Sequence, residues 1–350
     1  PARACARRRD GSVLVGAGGV GQTRSVHGVL TVEGTSRPAL AEEVTASLRA
    51  QQFFWLDLDG VDDEAASLLG DTIGIHPLDV VAARRFEQRP KIVDGEDYTS
   101  MVLYGTTAGT AGPELVEAHL LVGTGFVVTI RRGPCPAFDD VRQRLADHRP
   151  RTFQSAQTEI LYLITDRLID SYLPVLEQFD NRIDDLEDAI LVRPTEEQLG
   201  QLFDMKRSLI AIRRVVSPQR DMFASVSAGI VSIPGVDESD GRYLREIYDR
   251  LIRVSDLIDS YRDLLTSVMD THLSTVSNRL NEVMKQLTII ATVFLPLSFL
   301  TGFFGQNFAV LVNAIRGRPA FWGLGIGLEV LCVCGLLYLF RRRGWLSQTD

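Results

Sequence analysis

From Gln286 to Ile315 the sequence contains no Asp, Glu, Lys or Arg, although 23% of the chain is charged. A gap of that length excludes an ordinary solvated segment and is long enough to cross a hydrocarbon core of ~30 Å. Cysteine is scarce, with four residues at positions 5, 135, 332 and 334. That number and spread exclude a disulfide scaffold, and the pair at 332 and 334, in an apolar run, fits membrane packing better than metal ligation. His27, His76, His119 and His148 have neither metal-ligand spacing nor a paired nucleophile, so no catalytic constellation is legible. The first residues lack the apolar core of a secretory signal. Gly16–Gly21 follow a strand-like SVLV, but the helix that a dinucleotide site needs does not follow. The net charge of −8 falls on a chain whose end is basic, so the acidic excess precedes residue 286. That argues against nucleic acid as a partner.

What is present is a patterned apolar span. Asn281, Met284, Thr288, Ala291, Leu295, Ser298, Gly302 and Gly305 step by three and four, the 3.5-residue period of helices wound about a common axis. The opposite face holds Ile289, Ile290, Val293, Phe294, Leu297 and Leu300. The small, weakly polar stripe reads equally as the lining of a path or as a helix-packing face. A second apolar segment, Pro319 to Phe340, ends in Arg341-Arg342-Arg343, which the positive-inside rule places in the cytoplasm. Everything before residue 286 is then cytoplasmic as well, and only about residues 307–318 face outward. Glu329 stands out in the second span. A charge near the bilayer centre costs about 2.5–3.5 kcal/mol on insertion scales, so it serves either a proton-coupled step or a hydrogen bond to Thr or Ser on the first span.

Residues 1–26 are atypical. From 27 to 150 strands (Val29–Val32, Phe53–Leu58, Tyr98–Tyr104, Phe126–Ile130) alternate with helices (Ala39–Ala50, Asp62–Ile73, Leu78–Glu87, Ala137–Asp147), predicting an α/β domain with a mixed sheet. Residues 151–285 are helical. Asp180, Asp184, Asp185, Glu187 and Asp188 crowd one stretch of this region, the pattern of a solvated helix face rather than a ligand shell. A very long helix from near Ser239 to Phe304 carries a seam at Leu244, Ile247, Leu251, Val254, Ile258, Tyr261, Leu265 and Val268. The seam then shifts by one to Met269, Leu273, Val276, Leu280 and Val283, and its length suggests an axis shared between copies. Transmembrane segments follow at 286–306 and 319–340, separated by a loop at 307–318, with a basic tail at 341–350.

Gly74-Ile75-His76-Pro77-Leu78, Gln88-Arg89-Pro90-Lys91, Asn278 through Lys285, the Pro296 helix, Gly305-Gln306-Asn307-Phe308 and Arg343-Gly344-Trp345-Leu346 stand in register. With them the chain resembles the CorA-type, two-transmembrane GxN superfamily of divalent metal transporters over roughly residues 28–347. The resemblance implies a homopentamer in the bacterial cytoplasmic membrane, both termini cytoplasmic. A cytoplasmic α/β domain, a long pore-lining helix and an outer second helix would move hydrated Mg²⁺, or Co²⁺ or Ni²⁺. It implies self-association, lipid and divalent cations as partners, Mg²⁺ as cargo and regulator, and no organic cofactor. Gly305, Gln306 and Asn307 become the selectivity motif. Asn281, Met284, Leu287, Thr288, Ala291, Leu295, Ser298 and Gly302 become pore-lining, with Met284, Leu287 and Leu295 as apolar constrictions. Without the resemblance, Asn307 reads equally as a helix cap.

The departures matter as much. Gln306 stands where the family usually has Met, the loop 308–318 has no acid and carries Arg316 and Arg318, and only Asp79 is acidic after GIHPL. Asp79, Glu246, Asp249 and Asp270 are the remnants of a regulatory metal site, with Glu246 next to an Arg as the plainer reading. Two alternatives stay open: a zinc-type member with proton coupling, and a non-conducting scaffold or sensor of the same fold.

Overall fold

The computed structural model describes residues 25–109, 112–147, 153–236, 238–306, 311 and 317–345. The chain divides into two compact units, residues 1–182 with 204–263 and residues 183–203 with 264–350.

The first unit is built on seven strands: β1 (Ser25–Val32), β2 (Thr35–Leu40), β3 (Phe54–Asp59), β4 (Lys91–Val93), β5 (Tyr98–Gly109), β6 (Gly112–Gly123) and β7 (Phe126–Arg131). Their order is β2-β1-β3-β7-β6-β5-β4, with β3 and β7 parallel and every other pair antiparallel. Helices α1 (Ala41–Arg49), α2 (Asp63–Ser67, prolonged by a wider turn over Leu68–Ile73), α3 (Pro77–Arg84), α4 (Pro136–Ala146) and α5 (Ala156–Asp170) complete it with parts of α6 (Tyr172–Val192), α7 (Glu196–Ser227) and α8 (Gly241–Phe304). The mixed sheet is the predicted one, but β2, β4 and β6 were not legible as strands. The β1–β2 turn places Glu33 (φ 51°) and Gly34 (φ 80°) in left-handed conformation, as a two-residue hairpin requires.

β3 shows the period of two that organises the core. Phe54, Leu56 and Leu58 join one apolar cluster with Leu30, Val44, Leu69, Ile75, Val128 and Ile130. Trp55 and Asp57 point the other way. Trp55 meets Phe138 of α4 edge-on at 6.1 Å, and the buried Asp57 carboxylate accepts from Thr129 Oγ1 (2.8 Å), Arg142 Nη1 (2.8 Å) and Arg131 Nε (3.2 Å). The end of α5 lies against β5, because Gly105 leaves no side chain to collide with Leu168 and Ser171, both 2.9 Å from where a Cβ would stand.

The seam on α8 needs a correction. Leu244, Ile247, Leu251, Val254, Ile258, Leu265 and Val268 are all buried inside this single chain. Arg213 and Arg220 of α7 reach Asp259 and Ser255 of α8. This face is packed inside the chain itself, so its period is not by itself evidence of an axis shared between copies. After the one-residue shift the pattern changes, with Leu273, Leu280 and Val283 exposed by 62%, 61% and 54%.

In the second unit, Thr195 and Gln198 cap α7 reciprocally, and buried His272 of α8 contacts the Thr195 carbonyl through Nε2 at 3.1 Å. Beyond it α8 runs uninterrupted through Pro296; its 64 residues make it roughly 95 Å long. After the turn Arg318–Ala320, a wider π-helical turn, Phe321–Gly327, leads into α9 (Leu328–Arg342). Among the described residues two helices are long and apolar enough to cross a membrane, Gly241–Phe304 and Phe321–Arg342.

Candidate metal-ion pathway

On the apolar part of α8 the half-buried positions are Ile289, Val293, Pro296, Leu297, Leu300 and Phe304. On the second apolar helix they are Gly325, Glu329, Cys332, Val333 and Leu336, leading to buried Phe340. Each set follows one helical face, and Thr301 Oγ1 lies 2.9 Å from Glu329 Oε1 between them. The bulky face read from the sequence is thus the one turned towards the second helix, except that Ile290 and Phe294 stay exposed.

The candidate stripe lies elsewhere on the helix. Asn281, Met284, Leu287, Thr288, Ala291, Leu295, Ser298, Gly302, Gly305 and Gln306 are all exposed in the single chain. Nothing lies within 4 Å of where a Cβ would stand at Gly302, so the chain's own fold makes no demand for glycine there. At Gly305 the nearest atom to a Cβ would be the Thr301 carbonyl of its own last turn, at 2.9 Å, the oxygen that also accepts the Gly305 N–H at 2.9 Å. The hydroxyls of Thr288 and Thr292 donate back to the carbonyls of Met284 and Thr288, whereas the single hydroxyl hydrogen of Thr301 is shared between the Leu297 carbonyl and Glu329. Asn307 lies outside the described residues, as does most of the loop before Gly317.

The regulatory candidates sit in two kinds of surroundings. Gly74, left-handed at φ 87°, closes the turn before α3, His76 caps α3 by accepting the Leu78 N–H at 3.2 Å, and Pro77 opens the helix. That geometry explains the GIHPL segment structurally. Asp79 on α3 accepts from Tyr98 Oη at 2.5 Å. Glu246 and Asp249 line one cleft with Arg242 and Arg245, and Glu246 also acts on Tyr162: burial first, then Glu246, pushes that phenol up. Asp270 is exposed on α8, and the acids of the 180–188 run lie mostly on the exposed face of α6. Among the described residues no three acidic, His or Cys side chains gather as a metal site.

Sequence reasoning missed Tyr98, and it missed Glu117. The Glu117 carboxylate takes the N–H groups of Glu87 and Gln88, the latter at 3.2 Å, and pairs with His119 Nε2 at 2.8 Å. It thereby holds the Gln88-Arg89-Pro90-Lys91 segment, whose Gln88 carbonyl also accepts from Tyr104 Oη.

Residues 50–342 match the family described as CorA-like Mg²⁺ transporter protein. The chain belongs to this family. CorA-like proteins transport metal ions, and the chain accordingly resembles transporters. It is 32% identical over 297 residues to the cobalt/magnesium transport protein CorA of Thermotoga maritima, covering 83% of each chain. It is 28% identical over 301 residues to the zinc transport protein ZntB of Yersinia enterocolitica, covering 85% of this chain and 89% of that one. Among solved structures, the CorA magnesium transporter of Methanocaldococcus jannaschii shares the fold, with a TM-score of 0.77 at 21% identity over 92% of this chain and 100% of that one. The α/β domain, long helix and two C-terminal apolar helices are therefore those of a CorA-like protein.

Proposed function

We propose that this chain moves a hydrated divalent cation, Mg²⁺ first among the candidates, across the bacterial cytoplasmic membrane through a pore formed by five copies. The observation that carries this reading is the uncovered stripe. The second apolar helix adjoins one face of α8 and leaves the stripe of Asn281, Met284, Thr288, Ala291, Leu295, Ser298, Gly302 and Gly305 exposed, and a stripe with small and weakly polar residues suits a path about a common axis. Mg²⁺ gives up water reluctantly, so a pore that stripped it would face a high barrier. Amide oxygens of Asn307 at the outer mouth and Asn281 at the inner end would instead hold its water shell. Met284, Leu287 and Leu295 would close the path by dewetting. The basic residues Arg341–Arg343 fit a cytoplasmic end for the second helix. Asp79, Glu246, Asp249 and Asp270 would act as a weak cytoplasmic sensor.

A second reading, proton-coupled Zn²⁺ transport, is favoured by Gln306 in the mouth motif, by Glu329 in the second span and by the ZntB relative. Purified protein in liposomes decides between them: influx of Mg²⁺, Co²⁺, Ni²⁺ and Zn²⁺ is recorded with and without a pH gradient. Mg²⁺ influx that ignores the gradient supports the first reading, and Zn²⁺ influx that requires it supports the second. No influx of any of the four ions would sink both.

A further inference from the structure

Glu329 is the one charged side chain of the second apolar helix before its terminal arginines. It meets Thr301 Oγ1 at 2.9 Å, and that hydroxyl is also 2.8 Å from the Leu297 carbonyl. The backbone of the same Thr301 continues the connection, because its carbonyl accepts the Gly305 N–H at 2.9 Å. A Cβ at 305 would stand 2.9 Å from that carbonyl, so a side chain there would require a small shift of the last turn. A line of bonded groups therefore runs from Glu329 through Thr301 to the first residue of Gly305-Gln306-Asn307.

A π-helical turn, Phe321–Gly327, precedes Glu329 on the second helix and contains Gly323, Gly325 and Gly327. A wider turn resets the angular phase of every residue after it, and such turns recur where a helix must present one group to a site. A carboxyl in an apolar span is costly unless it has a partner, so the contact is strongly preferred over a free side chain.

We infer that Glu329 is a positioning residue at the end of the first apolar span: by holding the Thr301 side chain it fixes the last turn of α8, where Gly305 and Gln306 stand. The inference rests on the transport reading above for its functional consequence, while its structural half stands independently. Glu329 touches no ion in this account and acts through Thr301.

The test uses the full chain. Thr301→Val keeps bulk and backbone and removes only the hydroxyl; Glu329→Leu removes the carboxyl; Glu329→Gln retains a side chain able to donate or accept. In liposomes with external Mg²⁺, Thr301→Val and Glu329→Leu should each raise the apparent KM for Mg²⁺ about tenfold at unchanged assembly size, the loss of one hydrogen bond's worth of order in the last turn. Glu329→Gln should retain most of the wild-type affinity. In parallel, hydrogen exchange in the peptide holding Gly305 should quicken by about tenfold in the first two variants and not in the third. Wild-type KM and wild-type exchange in Thr301→Val overturn the inference, and that variant decides if Glu329→Leu fails to assemble. Glu329→Gln behaving like Glu329→Leu, with wild-type flux that needs a pH gradient, also overturns it and makes the carboxyl a proton carrier. If the wild type passes no dication, the transport reading fails, and exchange at Gly305 still decides whether Glu329 holds the last turn.

Discussion

Tyr98 donates its hydroxyl hydrogen to Asp79 at 2.5 Å and accepts the His76 N–H at 3.0 Å. The single acid after the GIHPL segment is therefore already engaged inside its own chain. Burial, and then the bond to Asp79, push the Tyr98 phenol up to about 12, so it remains a donor throughout the physiological range. A bridging cation site gains affinity from carboxylates that repel one another when empty, and here that repulsion is largely missing. Mg²⁺ should accordingly close this protein with a shallow dependence, read as protease protection of the full chain across an Mg²⁺ titration. Tyr98→Phe, which frees Asp79, should steepen the curve. A steep wild-type curve at low Mg²⁺ that disappears in Glu246→Ala would show an intact sensor and defeat the prediction.

On the proposed reading, in which Asn307 amide oxygens hold the ion's water, Asn307→Ala should reduce dication flux at least about tenfold with assembly unchanged, each copy losing about one hydrogen bond to the ion's water. Wild-type flux in that variant would reduce Asn307 to a helix cap.

The open space around Gly302 gives a test of the oligomer. The chain's own fold accommodates a side chain at that position, so Gly302→Leu should leave the monomer's secondary structure and thermal unfolding near wild type. If the stripe faces other copies, the same substitution should block flux or shift the assembly. Mass measurement in nanodiscs should give five copies for the wild type, and a monomer or dimer would refute the shared axis.

Glu117 carries a pH signature. Burial raises its pKa, but His119, the Tyr104 hydroxyl and the backbone N–H groups of Glu87 and Gln88 together hold it below the ordinary 4.5. A carboxyl whose folded pKa is depressed stabilises the fold above its unfolded pKa, and that stabilisation is lost as pH falls through the folded value. Glu117→Gln should therefore cost about 1.5–3 kcal/mol at neutral pH, the worth of hydrogen bonds to a charged group. The gap to wild type should narrow only below pH 4.5. Thermal unfolding of the full chain at stepped pH measures it, and a gap constant down to the acid limit would disprove the charged role.

Asp57 gives the sharpest stability test. It is 1% exposed and bonded to Thr129, Arg131 and Arg142, so Asp57→Ala leaves two guanidinium groups without their shared partner. Breaking such a buried arrangement from one side costs about 3–5 kcal/mol. A loss under 1 kcal/mol in chemical denaturation would show that water reaches the pair.

The spans, the long helix and the mixed sheet were legible because each rests on a period or a composition that local sequence displays. The bond between Glu329 and a hydroxyl of the first span was legible too, since an apolar setting leaves a carboxyl few choices. The seam from Leu244 to Val268 was legible as a face and misleading about its partner, because a period shows which side is buried and not what buries it. The hairpin at Glu33-Gly34 was missed because glutamate is an uncommon occupant of a left-handed turn. Tyr98 and Glu117 were missed because their partners are brought near by sheet pairing and loop packing rather than by sequence spacing.

The Thr301–Glu329 contact also bears on how the protein is made. The first apolar span has no charge and can leave the translocation machinery unaided, whereas the second carries a carboxyl that is penalised by about 2.5–3.5 kcal/mol if it enters lipid alone. Its partner lies on the span synthesised just before it, so we expect the two to enter the bilayer together as a hairpin. An insertion reporter should therefore show the second span entering less often by itself than behind residues 286–306. Glu329→Leu should remove that dependence, and equal insertion in both contexts for the wild-type span would rule out the hairpin.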